Sequence, residues 1–299
     1  MGVICLVAKI FAEGRERNEQ GWLIYPRDKP LRASMYPEEL LAKIMTHPAK
    51  QQAYLCRDIV EFVSEPGDTI LDCFGGVGTT LIAAAMGRNV NLIEIEDYYA
   101  GIINQCISHL RRSSPVVDGV ELNDRNSILG NMMLIQADNR LAMPIPCDHI
   151  ITSPPYGNDL YQGAGGESEG VSTKKLATKG DKTVAELRAK EMAQYGQAHQ
   201  NLGKLNPFVY KQSMNKVYAL MVKSVKVGGT ITITHRDRMK DGERVLYIDS
   251  IIGTLVGLGC GVYNLDKWET PRTIQASVNI NLGAEVVLDE DIITMRKPE

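Results

Sequence analysis

Ser153, Pro154, Pro155 and Tyr156 stand in a row behind the short apolar run His149-Ile150-Ile151, with Thr152 in front and Gly157 behind. The run reads as a buried strand that ends in a rigid, polar turn. Two consecutive prolines fix φ near −65° and remove two backbone donors, leaving the surrounding carbonyls outward and unpaired. With a hydroxyl before it and an aromatic ring after it, such a turn suits a planar amine. Oxygen acceptors take the N–H groups, and the ring stacks on the face. A plain proline-punctuated loop has the same composition, so a second motif has to decide between the two.

That motif is Asp72-Cys73-Phe74-Gly75-Gly76-Val77-Gly78-Thr79-Thr80. Residues 68–71 before it read as a strand entered from the turn Glu65-Pro66-Gly67, and residues 81–86 after it read as a helix. In a strand–glycine loop–helix unit the glycines let the backbone approach a nucleotide closely. The spacing is not G-x-G-x-x-G, because Leu81 stands three residues after Gly78, and no Walker lysine follows. A pyrophosphate cradle is therefore disfavoured. A second strand over 90–93 ends in Glu94, sixteen residues after Gly78. A carboxylate there can accept hydrogen bonds from both hydroxyls of a ribose.

Together these segments resemble the S-adenosylmethionine-dependent DNA amino-methyltransferases, the group acting on cytosine N4 or adenine N6. Residues 72–80 are similar to that family's D-P-F-x-G-x-G-T-T loop, with Cys73 in place of the proline. Thr46-His47-Pro48-Ala49-Lys50 resembles its H-P-x-K segment, Gly87 to Glu96 with Tyr98 its second strand and following helix, and Ala137-Asp138-Asn139 its third-strand acidic position. The resemblance runs from about residue 46 to 160 and resumes at Lys226-Val227-Gly228-Gly229-Thr230 and, weakly, at 291–297. It implies a Rossmann-like α/β fold: a mostly parallel seven-stranded sheet with helices on both faces.

It also implies a set of roles. S-adenosylmethionine would be held by His47, Pro48, Lys50, Asp72, Phe74, Gly76, Gly78, Thr79, Thr80, Glu94, Asp138 and Asn139. Within that set His47 and its neighbours pack on the methionine end, Asp72 takes the amino group, Glu94 the ribose and Asp138 the adenine. Ser153, Pro154, Pro155 and Tyr156 form the catalytic tetrapeptide, and the partner is duplex DNA with its target base flipped out. Serine ahead of Pro-Pro-Tyr favours cytosine N4 over adenine N6. The tRNA guanine N2-methyltransferases also use Pro-Pro-Tyr-Gly, usually after aspartate, and give the RNA alternative. A non-catalytic DNA-binding subunit is the remaining class, disfavoured because both motifs are intact. The cofactor loop precedes the tetrapeptide, the reverse of many family members, which leaves two places for target recognition: the residues after Tyr156, and Trp268-Glu269-Thr270-Pro271-Arg272.

At 299 residues, 44% hydrophobic and 23% charged, the chain has the composition of an ordinary globular protein of one or two domains. It has no apolar run long enough to cross a membrane. The opening residues do not read as a signal peptide, and six dispersed cysteines without a Cys-x-x-Cys pair point to reduced thiols in a cytoplasm rather than zinc; the resemblance implies the cytoplasm of a prokaryotic cell or a phage-infected host. A net charge of −3 weighs against an extended phosphate-gripping surface. The sequence leaves the oligomeric state open: a homodimer, or a partner subunit.

Four segments organise the chain: an N-terminal extension over 1–45 and a methyltransferase domain over 46–299, itself interrupted by 157–205. Helices are expected over 37–44, 184–195, 209–225 and 244–258. Strands are expected over 132–136 and 230–234 and near 262–268 and 285–295, with a surface loop over 116–131. The interruption carries seven glycines between 163 and 203, and Lys174, Lys175, Lys179 and Lys182. So long a connection directly after a catalytic strand reads as a lid or target-recognition loop.

Overall fold

Strands with apolar residues on both sides, such as Ile70-Leu71 and Ile150-Ile151, need a helical layer over each face. The computed structural model describes residues 9–47, 49–113, 116–117, 120–121, 129–155, 198, 200–240, 243–271, 280–281, 283 and 285–299. Along the chain come α1 (Lys29–Met35), α2 (Glu38–Met45), α3 (Ala53–Val63), β1 (Thr69–Asp72), α4 (Ile82–Ala85), β2 (Asn89–Glu94) and α5 (Asp97–Leu110). Then follow β3 (Val116–Val117), β4 (Val120–Glu121), β5 (Met132–Gln136), α6 (Asn139–Ala142) and β6 (Cys147–Thr152). The last part holds α7 (Pro207–Ser224), β7 (Val225–His235), β8 (Arg238–Lys240), β9 (Glu243–Val245), α8 (Ile248–Gly257), β10 (Gly261–Glu269) and β11 (Asp289–Arg296).

Seven strands form one sheet in the order β10-β11-β7-β6-β1-β2-β5. Only β11 runs against the others, pairing antiparallel with both β7 and β10. The strand order reverses between β1 and β6, which pair in parallel with Leu71 opposite Ile150. Ligands of open α/β sheets bind beyond the strand ends at such a reversal. Alternate strand residues separate into two cores: Ile70, Val90, Leu92 and Ile151 pack with α3, α4 and α5. On the other face Leu71, Ile93, Ile150, Ile231 and Ile233 pack with Met221 of α7 and Leu255 of α8. The expected α/β sheet with helices on both faces is what the chain builds.

Local departures have physical reasons. The helix expected over 37–44 is preceded by α1, whose first turn accommodates Pro30 because a helix needs no amide donor there. The helix expected from 244 starts only at Ile248; Arg244 sits instead in the short β8–β9 pair, its guanidinium held by Asp237 and Asp289. Within 116–131, expected as a loop, β3 and β4 pair antiparallel. The helix expected over 184–195 lies outside the described residues, as does most of the proposed lid, of which Ala198 and residues 200–205 are described.

Residues 9–45 contribute Phe11, Leu23, Tyr25, Leu31 and Met35 to the first core. Leu23 bridges to Trp268 at the sheet edge, and Phe62 stands between Phe11 and Tyr263, with ring centroids 5.3 and 5.4 Å away. Arg32 is buried and joins three segments: it donates to Asp28 at 2.8 Å, to the Gln51 carbonyl at 2.6 Å and to the Thr79 hydroxyl at 3.2 Å. Deleting the guanidinium leaves half-buried Asp28, among the described residues, with the Ala53 amide alone and takes a donor from both the Gln51 carbonyl and the Thr79 hydroxyl. Arg32→Ala is therefore expected to lower the unfolding free energy by about 2–3 kcal/mol, the scale of losing hydrogen bonds to a charged group, measured by chemical denaturation. A loss below about 1 kcal/mol would show that the guanidinium is not structural.

Candidate active site

At the carboxyl end of β1, Asp72 is buried and its carboxylate takes three donors. The Thr80 hydroxyl lies 2.5 Å from Oδ2; the Thr152 hydroxyl at 2.7 Å and the Phe74 amide at 3.1 Å reach Oδ1. Burial raises its pKa, and these three bonds oppose the rise. One carboxylate thus ties the glycine loop to the last residue of β6, immediately before Ser153. Thr80 itself does not line the cleft; its contribution is this bond.

The loop turns through Gly76 and Gly78, at φ +53° and +76°, conformations that favour glycine. A Cβ at Gly78 would also approach Leu81 to 3.0 Å. Gly78 thus shapes the turn from behind, while Gly76 faces the cleft beside the His47 ring. The Gly76 amide donates to Glu94 Oε2 at 2.6 Å, and the Glu96 amide donates to Oε1 at 2.8 Å. Even with these donors, burial pushes the Glu94 carboxyl up to about 7.

His47 is neutral at physiological pH, because burial and the nearby Lys50 and Arg32 cations lower its pKa to about 3. The Ala49 amide donates to its Nδ1 at 3.2 Å, so the ring proton sits on Nε2, the nitrogen nearest Gly76. Its ring meets Tyr99 edge-on with centroids 4.5 Å apart. The residue facing the site here is Tyr99; Tyr98, which the sequence resemblance picked out, is partly exposed. Lys50 donates to the His47 carbonyl at 3.2 Å, and Thr79 receives Arg32.

On the far side of the cleft, Asp138 forms a two-point pair with Arg140 at 2.6 and 3.0 Å. Burial works to raise its pKa, but the Arg140 bonds hold it below the ordinary value. Asn139 donates to the Cys73 carbonyl at 2.8 Å. Ser153, Pro154 and Pro155 line the same cleft as His47, Lys50, Asp72, Phe74, Gly76, Thr79, Glu94, Asp138 and Asn139. Pro48 and Tyr156 lie outside the described residues. Tyr210 of α7 donates to the Pro155 carbonyl at 2.6 Å, fixing the turn from behind.

Sequence reasoning named Thr152 and Glu96 without giving either a role, and passed over Arg32, Tyr99 and Tyr210. The apolar run leading into β6 carries a signal for Thr152 as the strand's last residue; the partners of Arg32 and Tyr210 are too far along the chain for any spacing rule.

The sheet, its order reversal and this cleft define the class: a Rossmann-like methyltransferase fold. Residues 13–105 match the model of the N6/N4 methyltransferase family described as DNA methylase, which bears out the amino-methyltransferase resemblance and extends it into the first 45 residues. A comparison with curated proteins finds no match. Solved structures of similar fold include TrmN from Thermus thermophilus, at 11% identity and a TM-score of 0.45, covering 86% of this chain and 53% of that one. A SAM-dependent methyltransferase from Methanosarcina mazei shares 10% identity at a TM-score of 0.47, covering 80% and 97%. An rRNA methylase from Streptococcus thermophilus shares 13% at 0.44, covering 84% and 99%. The chain thus spans about half the length of TrmN.

The donor set fits S-adenosylmethionine, the cofactor of the matched family. Glu94 offers acceptors at the end of β2 and His47 a neutral N–H donor. The glycine loop leaves space where a side chain would intrude.

The Glu94 carboxyl gives this fit a pH signature. Its folded-state value lies above its ordinary 4.5, so its contribution to folding stability is complete below that pH and is lost as pH rises through about 7. Accepting ribose hydroxyls has the opposite sign, because the ionised form accepts best. Cofactor affinity is expected to rise through about pH 7 while the unliganded fold loses stability. Glu94→Ala should cost on the order of 1–3 kcal/mol of affinity and flatten the pH profile. Calorimetry showing wild-type affinity and pH profile in Glu94→Ala would remove Glu94 from the cofactor site.

Proposed function

We propose that the chain is a DNA methyltransferase that modifies the exocyclic amino group of a base, cytosine N4 in preference to adenine N6. One observation carries this: the Ser153-Pro154-Pro155 turn opens into the same cleft as Glu94, His47 and Asp138. The DNA methylase family match supports DNA as the substrate, and serine ahead of the prolines supports cytosine. In this reading Asp72, Phe74, Gly76, Thr79 and Asn139 complete the cofactor side, and Tyr156 stacks on the base.

An exocyclic amine is a weak nucleophile because its lone pair is delocalised into the ring. The Ser153 hydroxyl and the Pro154 carbonyl would accept its two hydrogens, pulling the nitrogen toward tetrahedral geometry and localising the pair. The Pro155 carbonyl already accepts one bond, from Tyr210. S-adenosylmethionine, when bound, supplies the methyl group on a positively charged sulfur that leaves as a neutral thioether. The chain's contribution is then orientation and fixed polarity, with no general base of strong basicity required. The methylated nitrogen sheds one proton to solvent past Ser153.

Labelled methyl transfer to duplex DNA and to RNA, followed by nucleoside analysis, tests the reading. N4-methylcytosine is the expected product. N6-methyladenine would move the target base, and labelling of RNA alone would overturn the DNA assignment. Ser153→Ala should lower turnover about a hundredfold, the scale of losing one group that polarises the transition state, with cofactor affinity within about twofold. Wild-type turnover in Ser153→Ala would exclude the turn as the transfer site.

A further inference from the structure

Two residues beyond Glu94, Glu96 is also buried, and its carboxylate reaches across the cleft to a distant part of the chain. Its Oε1 accepts from the Asn201 side chain at 2.5 Å and its Oε2 from the Ala198 amide at 3.0 Å. The orientation of the Asn201 amide is settled, because its oxygen takes the Gly203 amide at 2.8 Å and its nitrogen therefore faces Glu96. On the opposite side the Gln200 carbonyl accepts from Arg140 at 3.1 Å, the same guanidinium that pairs with Asp138. Gln200, Asn201 and Leu202 line the cleft between these two anchors. Gly203 rests on the catalytic turn: a Cβ there would stand 3.6 Å from the Pro155 side chain.

We infer that Glu96 is a positioning residue that holds residues 200–202 as a wall of the cofactor cleft, over the adenosine end, and that these residues bind the cofactor. This deepens the methyl-transfer reading and rests on it. Burying a carboxylate is costly unless donors satisfy it. Here two of the donors come from a stretch more than a hundred residues away, so part of what satisfies Glu96 also places this wall of the cleft. The anchors also lie beside the two carboxylates assigned to ribose and adenine: the Glu96 amide bonds Glu94, and Arg140 bonds Asp138. An adenosine lying between Glu94 and Asp138 would therefore have Leu202 and its neighbours beside it.

The test is binding of S-adenosylhomocysteine by calorimetry, with steady-state kinetics, on the full chain and on Glu96→Ala, Glu96→Gln and Asn201→Ala. Glu96→Ala is expected to raise the cofactor Kd and KM at least about tenfold, the scale of losing hydrogen bonds to a charged group. At saturating cofactor kcat should stay within about twofold. Glu96→Gln should fall between, because a carboxamide has one oxygen to offer two donors. Should Glu96→Ala fail to fold, Asn201→Ala, which keeps the carboxylate, carries the same expectation. Unchanged Kd in the folded variants, or a fall in kcat at unchanged KM, would overturn the inference. A wild-type chain that does not bind S-adenosylhomocysteine would overturn the underlying reading instead.

Discussion

Everything at this site hangs on one buried carboxylate. Asp72 receives hydrogen bonds from the glycine loop, from the helical turn after it and from the end of β6. Leaving a buried charge without donors would cost several kcal/mol, so the three elements are held to one arrangement. The glycine loop and the Ser153 turn come from different stretches of sequence, yet a single functional group ties them together. Parallel pairing of β1 with β6 brings the Thr152 hydroxyl to the Asp72 carboxylate, and the order reversal at the same place opens the cleft beyond them.

Around that centre the charges are arranged by partner rather than by type. Asp138 is held ionised by Arg140, whereas Glu94 is bonded by backbone amides and sits near neutrality between its two forms. His47 is deprotonated by burial and by the cations behind it. Four ionisable side chains within one cleft therefore present an anion, a titrating acid, a neutral donor and, in Asp72, a hub whose oxygens are mostly spoken for. The sequence assigned Asp72 to the methionine amino group. Geometry gives it a prior task, with three donors already on its two oxygens.

Much of this was legible because it is local. Alternating strand and helix periodicity, the run of glycines after residue 72 and the double proline after 153 each specify structure within ten residues. The sheet strands and the two motifs follow from them. What escaped is non-local. Arg32 sits in a stretch with no motif of its own, and its role comes from Gln51 and Thr79. Glu96 has no role of its own in the sequence, and it gains one only where Asn201 stands beside it. Tyr98 and Tyr99 are neighbours in sequence, and only the angular position around α5 turns one toward His47 and the other toward solvent. The β8–β9 pair was missed for a related reason: Arg244 fits a helix by local propensity, but Asp237 and Asp289 hold it elsewhere.

The bond between Thr152 and Asp72 spans eighty residues of chain, and that distance matters during synthesis. A chain emerging from the ribosome completes the glycine loop, β2 and α5 long before β6 exists. Until residue 152 arrives, Asp72 lacks one of its two hydroxyl donors and Ser153 has not been made. The half-built protein thus holds the glycine loop without the Ser153 turn beside it. Closing a loop of that length is a slow, non-local step compared with forming a helix, so the Ser153 turn is joined to the glycine loop only after the local structure is in place.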